Sequence, residues 1–78
     1  MQIAQARETA AMGGVTGFAV RQTAAGKWEI DVLGRQAART IHTAQGAKKH
    51  YATVDAALRD ILRIASSRPL PAIAVQPQ

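Results

Sequence analysis

The chain has 78 residues, the size of one small domain, and it contains no cysteine. It therefore has neither disulfides nor thiolate metal ligands to stabilise a core that is marginal at this length. Ten Lys and Arg against five Asp and Glu give a formal net charge of +5, which favours anionic partners such as nucleic acid. No apolar run approaches the roughly 18 residues of a membrane span, and the first residues lack the apolar centre of a secretory signal. These absences predict a cytoplasmic protein with no membrane partner.

Residues 1–14 are rich in alanine and end in Met12-Gly13-Gly14. Alanine favours a helix, and a glycine pair ends one. Ile3 and Met12 are the only large apolar side chains in this stretch, so a helix here would have little to bury. We therefore expect 1–14 to be a flexible or weakly helical arm, followed by a single domain over 15–67.

The segment from Gly17 to Leu33 predicts a β-hairpin. Apolar and polar residues alternate on either side of a turn at residues 23–26, where Gly26 supplies the positive φ that a short loop often needs. The alternation predicts that one face of the hairpin is apolar and points into the core, namely Phe18, Val20, Trp28, Ile30 and Val32.

Glu29 and Asp31 share the other face of this hairpin. A carboxylate pair can serve acid–base catalysis, but on a strand it more often forms cross-strand ion pairs. Arg21, Arg35 or Arg39 can supply the cation, so we expect a structural role for both acids.

A third strand is predicted over 39–43, centred on Ile41, with a turn at 44–47 after it. Residues 49–52 are either a short fourth strand, with Tyr51 pointing inward, or an extended lead to a helix. Thr53 is a favoured N-cap. The helix that follows has an apolar stripe at spacings of three and four, which we expect to pack on the hairpin: Val54, Ala57, Leu58, Ile61, Leu62 and Ala65.

Ser66 to Pro69 should end the helix, because the residue before a proline disfavours α geometry. Three prolines then predict a flexible tail over 68–78. Ile73 and Val75 alternate with alanines, so an edge strand added to this sheet or to another chain is the alternative. The chain as a whole predicts an α+β fold: a three- or four-stranded antiparallel meander packed against one C-terminal helix, with flexible termini.

Catalytic and metal-binding signals are poor. His42 and His50 are eight residues apart and have no cysteine partners, so no standard zinc spacing exists. The glycines at 13, 14 and 17 follow no strand and precede no Lys-Ser/Thr pair, so no phosphate-loop motif is met. No nucleophile–base pair is evident either. We expect no enzymatic activity, no metal, no cofactor and no small-molecule substrate.

Basic residues form two groups. Arg35, Arg39, Lys48 and Lys49 lie in the turn region, and Arg59, Arg63 and Arg68 lie on the outer helix face and its end. Such groups can neutralise phosphates. The large aromatic residues lie on the predicted core face, so binding of single strands by base stacking is not favoured.

Gly26-Lys27-Trp28-Glu29-Ile30 resembles the second strand of DNA-binding domains of the AP2 and integrase arm-binding type. The resemblance covers about residues 17–65. In integrase-type domains the exposed sheet face enters the major groove, which implies Arg21, Thr23, Thr40 and His42 as candidate contacts. The segment 48–57 also resembles the strand-to-helix junction of small uncharacterised proteins from bacterial plasmids and mobile elements.

The sequence thus predicts a small basic accessory or regulatory protein that binds nucleic acid, double-stranded DNA in particular. Its expected phosphate contacts are Arg35, Arg39, Lys48 and Lys49 first, and Arg21 second. The alternative is a protein-interaction module or a homodimer that associates through an edge strand or the C-terminal tail.

Overall fold

The computed structural model describes residues 1–65 and 73–78 and has an α+β fold. The described elements are α1 Ile3–Ala11, β1 Gly17–Gln22, β2 Trp28–Leu33, β3 Ala38–Thr40, α2 Val54–Ala65 and β4 Ile73–Gln76. The strands form one four-stranded sheet with the order β3-β2-β1-β4. α2 packs on one face of this sheet, which we call the core face, and α1 packs against α2. We call the other side of the sheet the open face, because no described helix covers it.

The predicted hairpin is confirmed. β1 and β2 pair antiparallel with Val20 opposite Ile30, and Gly26 in the connecting turn has a φ of 80°. Four of the five residues predicted on the inward face are buried, and Trp28 is half-buried. Period-two patterning therefore located the sheet side of the core correctly.

The prediction of a purely antiparallel meander was wrong. β3 continues the antiparallel pattern by pairing with β2, whereas β4 pairs parallel with β1, with Val75 opposite Val20. The alternation of Ile73 and Val75 with alanines lets this segment add to the sheet edge, which satisfies backbone groups along one side of it. The first part of the predicted tail, and the predicted helix end at 66–69, lie outside the described residues.

The prediction of one C-terminal helix was also wrong, because α1 packs against α2 at the start of the chain. Ala6 and Ala10 are buried in this contact. Ile3, the first residue of α1, is half-buried and also packs against the core. Gly13, with a φ of 77°, follows the last turn of α1 and its amide binds the carbonyl of Ala10.

The chain between β3 and α2 forms a second, smaller hairpin. His42 bridges to Lys48 around a turn in which Gly46 has a φ of 88°. Tyr51 then returns to the sheet, where it exchanges two backbone hydrogen bonds with Trp28 and is buried. Residues 49–52 are thus an extended lead to α2 with the predicted inward Tyr51. Thr53 begins the helix, since its hydroxyl accepts a hydrogen bond from the Ala56 amide.

The buried stripe of α2 is rotated from its predicted position. Ile61 and Ile64 are fully buried, but Leu62 is 53% exposed. Asp60 is buried in its place, because Tyr51 and Lys49 satisfy its carboxylate. Sequence patterning treats an aspartate as a surface residue, so it put Leu62 in the stripe and left Asp60 out, although Ala57, Ile61 and Ala65 are buried as predicted. Among the described residues no helix has both the length and the apolarity to cross a bilayer.

We predict that Ile61→Ala lowers the free energy of unfolding by about 2–5 kcal/mol, because it removes a fully buried side chain. Leu62→Ala is the matched control on the neighbouring position and should cost less than about 1 kcal/mol. Urea denaturation of both variants measures the difference. Equal losses would show that α2 does not pack on the sheet through the Ile61 side.

Candidate nucleic-acid interface

Arg21 is held on the open face by both carboxylates of the neighbouring strand. Its Nε lies 2.5 Å from Asp31 Oδ2, and its Nη2 lies 3.0 Å from Asp31 Oδ1 and 3.2 Å from Glu29 Oε1. The register places Arg21 directly opposite Glu29, and period two places Asp31 on the same face. The predicted cross-strand ion pairs are therefore confirmed, with Arg21 as the cation.

Thr40 and His50 complete this open-face network. The Thr40 hydroxyl donates to Asp31 at 2.8 Å, and His50 Nε2 lies 2.9 Å from Glu29 Oε2. Hydrogen bonds from Arg21 hold the pKa of Asp31 below its usual range, and the hydrogen bond with Asp31 raises the pKa of Arg21. The network fixes all five side chains within the fold: Arg21, Glu29, Asp31, Thr40 and His50.

A second ionic cluster lies at the core side, centred on Asp60. Its Oδ2 accepts from Tyr51 at 2.5 Å and from Lys49 at 2.9 Å, and its Oδ1 accepts from Arg63 at 3.2 Å. Burial by itself raises the pKa of Asp60, but the hydrogen bonds from Tyr51 and Lys49 and the two positive charges outweigh it, so the pKa is lowered. Burial raises the pKa of the Tyr51 hydroxyl, and the hydrogen bond to the carboxylate raises it further.

These two clusters determine which charged side chains remain unpaired at the surface. Three of the five carboxylates, those of Glu29, Asp31 and Asp60, have side chains no more than 15% exposed and form ion pairs. The remaining two, Glu8 and Asp55, are exposed. Among the described residues six cations are exposed and form no ion pair: Arg7, Lys27, Arg35, Arg39, Lys48 and Arg59. The surface that meets solvent is therefore strongly positive.

Three of these free cations lie along one edge of the sheet. Arg39 is in β3, the edge strand; Arg35 is in the turn before it; and Lys48 bridges to His42 just beyond it. We call Arg35, Arg39 and Lys48 the basic edge. At about 3.3 Å per residue, β3 and its extension to His42 spread these cations over roughly 15 Å. Lys48 lies near enough to Asp31 for its charge to contribute to the lowered pKa of that carboxyl.

The other predicted phosphate contacts, Lys49 and Arg21, are already paired with carboxylates. Lys49 binds Asp60 and lies over the Tyr51 ring, with Nζ 5.3 Å from the ring centre, and Arg21 belongs to the open-face network. Of the contacts implied by the integrase-type resemblance, Thr40 donates to Asp31 and His42 Nδ1 lies 2.8 Å from the Thr40 carbonyl oxygen. The amide of Thr23 is used inside the hairpin turn.

Sequence reasoning missed the roles of Asp60 and His50. Asp60 lies within an apolar stripe, nine residues after Tyr51. Neither an aspartate nor a tyrosine at these positions predicts by itself that the Tyr51 hydroxyl donates a hydrogen bond to Asp60. His50 neighbours Tyr51, whose inward direction turns His50 toward Glu29 on the open face. Alternation around Tyr51 was the one available signal for that placement.

Within residues 1–65 and 73–78 no three His, Cys, Asp or Glu side chains come together in a way that would hold a metal ion. Every buried side-chain nitrogen or oxygen in this part of the chain has a hydrogen-bond partner. Comparison of the chain with models of known families, with curated proteins and with solved structures found no match.

We predict that acid weakens the fold through Asp31 and Asp60. Both carboxyls have a lower pKa in the folded chain than the value of about 3.9 expected when unfolded. Their stabilisation is therefore complete above the unfolded pKa and is lost as the pH falls through the folded pKa. The free energy of unfolding, measured by urea denaturation, should decline from about pH 5 downward.

Asp60→Asn isolates the second cluster. At neutral pH it should cost about 1–3 kcal/mol, because it weakens the hydrogen bonds from Tyr51 and Lys49, and its deficit relative to the wild type should shrink as the pH falls. Asp55→Asn, an exposed change on the same helix, should cost less than about 1 kcal/mol. An aspartate titrates over about pH 3 to pH 5. If the loss of unfolding free energy in Asp60→Asn stayed constant over that range, the stabilisation could not come from the ionised carboxylate of Asp60.

Proposed function

We propose that this protein binds double-stranded nucleic acid, DNA in the first instance, through phosphate contacts made by the basic edge. The observation that carries the proposal is the pairing of three of the five carboxylates with cations of the fold, which leaves six free cations against two exposed acids among the described residues. Neutralising phosphates with such cations releases condensed counterions, and that release favours binding.

The basic edge is the best-placed part of this surface. Its three cations are spread over roughly 15 Å, a length that covers about four phosphates of one DNA strand at 3.4 Å each. The carboxylate of Asp31 lies near enough to Lys48 to feel its charge, but it already binds Arg21 and Thr40. Arg35, Arg39 and Lys48 are thus free to pair with phosphates.

Arg21 and Lys49 have a smaller part in this proposal. A phosphate that approached either cation would have to compete with a carboxylate already bound at 2.5–2.9 Å. On the open face Glu29 and Asp31 would also repel it. We therefore place the DNA at the β3 edge and not on the open sheet face. Apart from its two arginines, the basic edge has no side chain suited to reading bases. We therefore expect little sequence preference.

We predict that the triple change Arg35→Gln, Arg39→Gln and Lys48→Gln weakens DNA binding for every sequence tested. The slope of log affinity against log salt should fall by about 3, since each phosphate contact contributes roughly 0.9. Fluorescence anisotropy of a labelled mixed-sequence duplex at several salt concentrations measures both quantities.

The six free cations provide a matched control. Arg7→Gln, Lys27→Gln and Arg59→Gln remove the same charge from α1, the β1–β2 turn and the outer face of α2. If the basic edge is the interface, this variant keeps most of the salt slope. Equal losses in the two triples would show that charge acts without a defined site, and no binding by the folded wild type would refute the proposed function.

A further inference from the structure

The sheet ends in two edges of opposite character. β4 is the last strand on its side and is paired only with β1 among the described strands. It carries no charged residue, and Val75 is 48% exposed. Exposed edges of monomeric proteins are usually protected by charged side chains, bulges or a covering element. β4 has none of these within the described part of the chain apart from its shortness and the proline at 77.

The β3 edge has the protection that β4 lacks. Arg39 lies in the strand, and Arg35 and Lys48 flank it, so two copies that met along this edge would bring like charges together. Two copies that met along β4 would bring together only apolar and amide side chains. Charge thus selects one edge for self-association and excludes the other.

We propose that a second copy of this chain pairs with β4 in antiparallel fashion, so that two four-stranded sheets join into one of eight strands. The two-fold axis then stands perpendicular to the sheet, and the same strand contributes to both sides of the interface. Both helix layers lie on the same face of the joined sheet. Main-chain hydrogen bonds supply the affinity, as in other cases of strand addition.

The pleat restricts the register of this pairing. Residues directly opposite each other must point to the same face, so the axis passes either at Ala74 or at Val75. In the first case Val75 faces Ile73 of the other copy, and in the second the two Val75 side chains face each other. Either register covers the exposed Val75 side chain.

The paired sheet also predicts how DNA is engaged, and this part rests on the proposed function. Seven strand spacings separate the two β3 edges, and at about 4.8 Å each the basic edges are at most about 34 Å apart. They are the two outer margins of the joined sheet and face in opposite directions, so one dimer presents two separate phosphate-binding edges, one for each of two duplexes.

Cysteine cross-linking tests the pairing directly, since the natural chain contains no cysteine. Ala74→Cys and Val75→Cys each place one thiol on β4, where it meets its symmetry copy within disulfide range in one of the two registers. Ala38→Cys, an exposed position on β3, is the control. After mild oxidation, a disulfide-linked dimer in one β4 variant and not in the control supports the proposal. Cross-linking of both β4 variants at the level of the control overturns it.

Val75→Lys provides the measurement in solution, because a lysine on an edge strand opposes pairing. A four-residue contact is small beside a standard interface of about 1,600 Å², so the dimer should be weak. Sedimentation at about 10 and 500 µM, with circular dichroism to confirm folding, should show a concentration-dependent dimer for the wild type and a monomer for the variant. A wild type that remains monomeric at the higher concentration contradicts the proposal.

Stoichiometry separates the two proposals. A wild-type dimer should bind two copies of a short labelled duplex, one at each basic edge, and the Val75→Lys monomer should bind one, which sedimentation of the complexes measures. A wild type that stays monomeric and binds one duplex refutes the dimer and leaves the proposed function standing. A dimer that binds no duplex refutes the proposed function and leaves the dimer standing.

Discussion

The buried carboxylate of Asp60 is the constraint on which the arrangement of the chain depends. It receives hydrogen bonds from Tyr51 and Lys49 and an ion pair from Arg63, and so it joins the lead segment 49–52 to α2. Removing a charge from water is costly unless it is fully paired. α2 therefore has one rotation that satisfies Asp60 and buries Ile61 and Ile64 at the same time. Leu62 is left in solvent as a consequence of that choice.

The same logic of internal pairing determines the electrostatics of the surface. Arg21 binds Glu29 and Asp31 on the open face, and the Asp60 cluster holds Lys49 and Arg63. This pairing does not change the net charge of +5, because the three paired carboxylates are matched by Arg21, Lys49 and Arg63, but it leaves six free cations against two exposed acids among the described residues. The proposed phosphate contacts at Arg35, Arg39 and Lys48 follow from which cations the interior leaves unpaired, rather than from the number of basic residues in the chain.

The sequence predicted the parts of the fold that depend on local pattern. Alternation gave the Gly17–Leu33 hairpin and its buried face, and Thr53 gave the start of α2. What it missed depends on contacts between distant segments. Ala6 and Ala10 are uninformative as apolar residues, yet both are buried where α1 joins the core beside α2. β4 gains its place only by pairing with β1 from more than fifty residues away. At the candidate interface, the sequence predicted five cations but could not tell the paired ones from the free ones. That distinction depends on the carboxylates that bind Arg21 and Lys49 in the folded chain.

We propose that nucleic acid contacts the β3 edge and not the open face of the sheet. Backbone amide chemical shifts of ¹⁵N-labelled protein, followed as a short DNA duplex is added, test this placement residue by residue. We expect the shifts to change most in the segment 34–49, around Arg35, Arg39 and Lys48, while Arg21 and Glu29 change little. The largest changes at Ala19, Arg21 and Glu29 would place the DNA on the open face and contradict the proposal, as would a spectrum that DNA leaves unchanged.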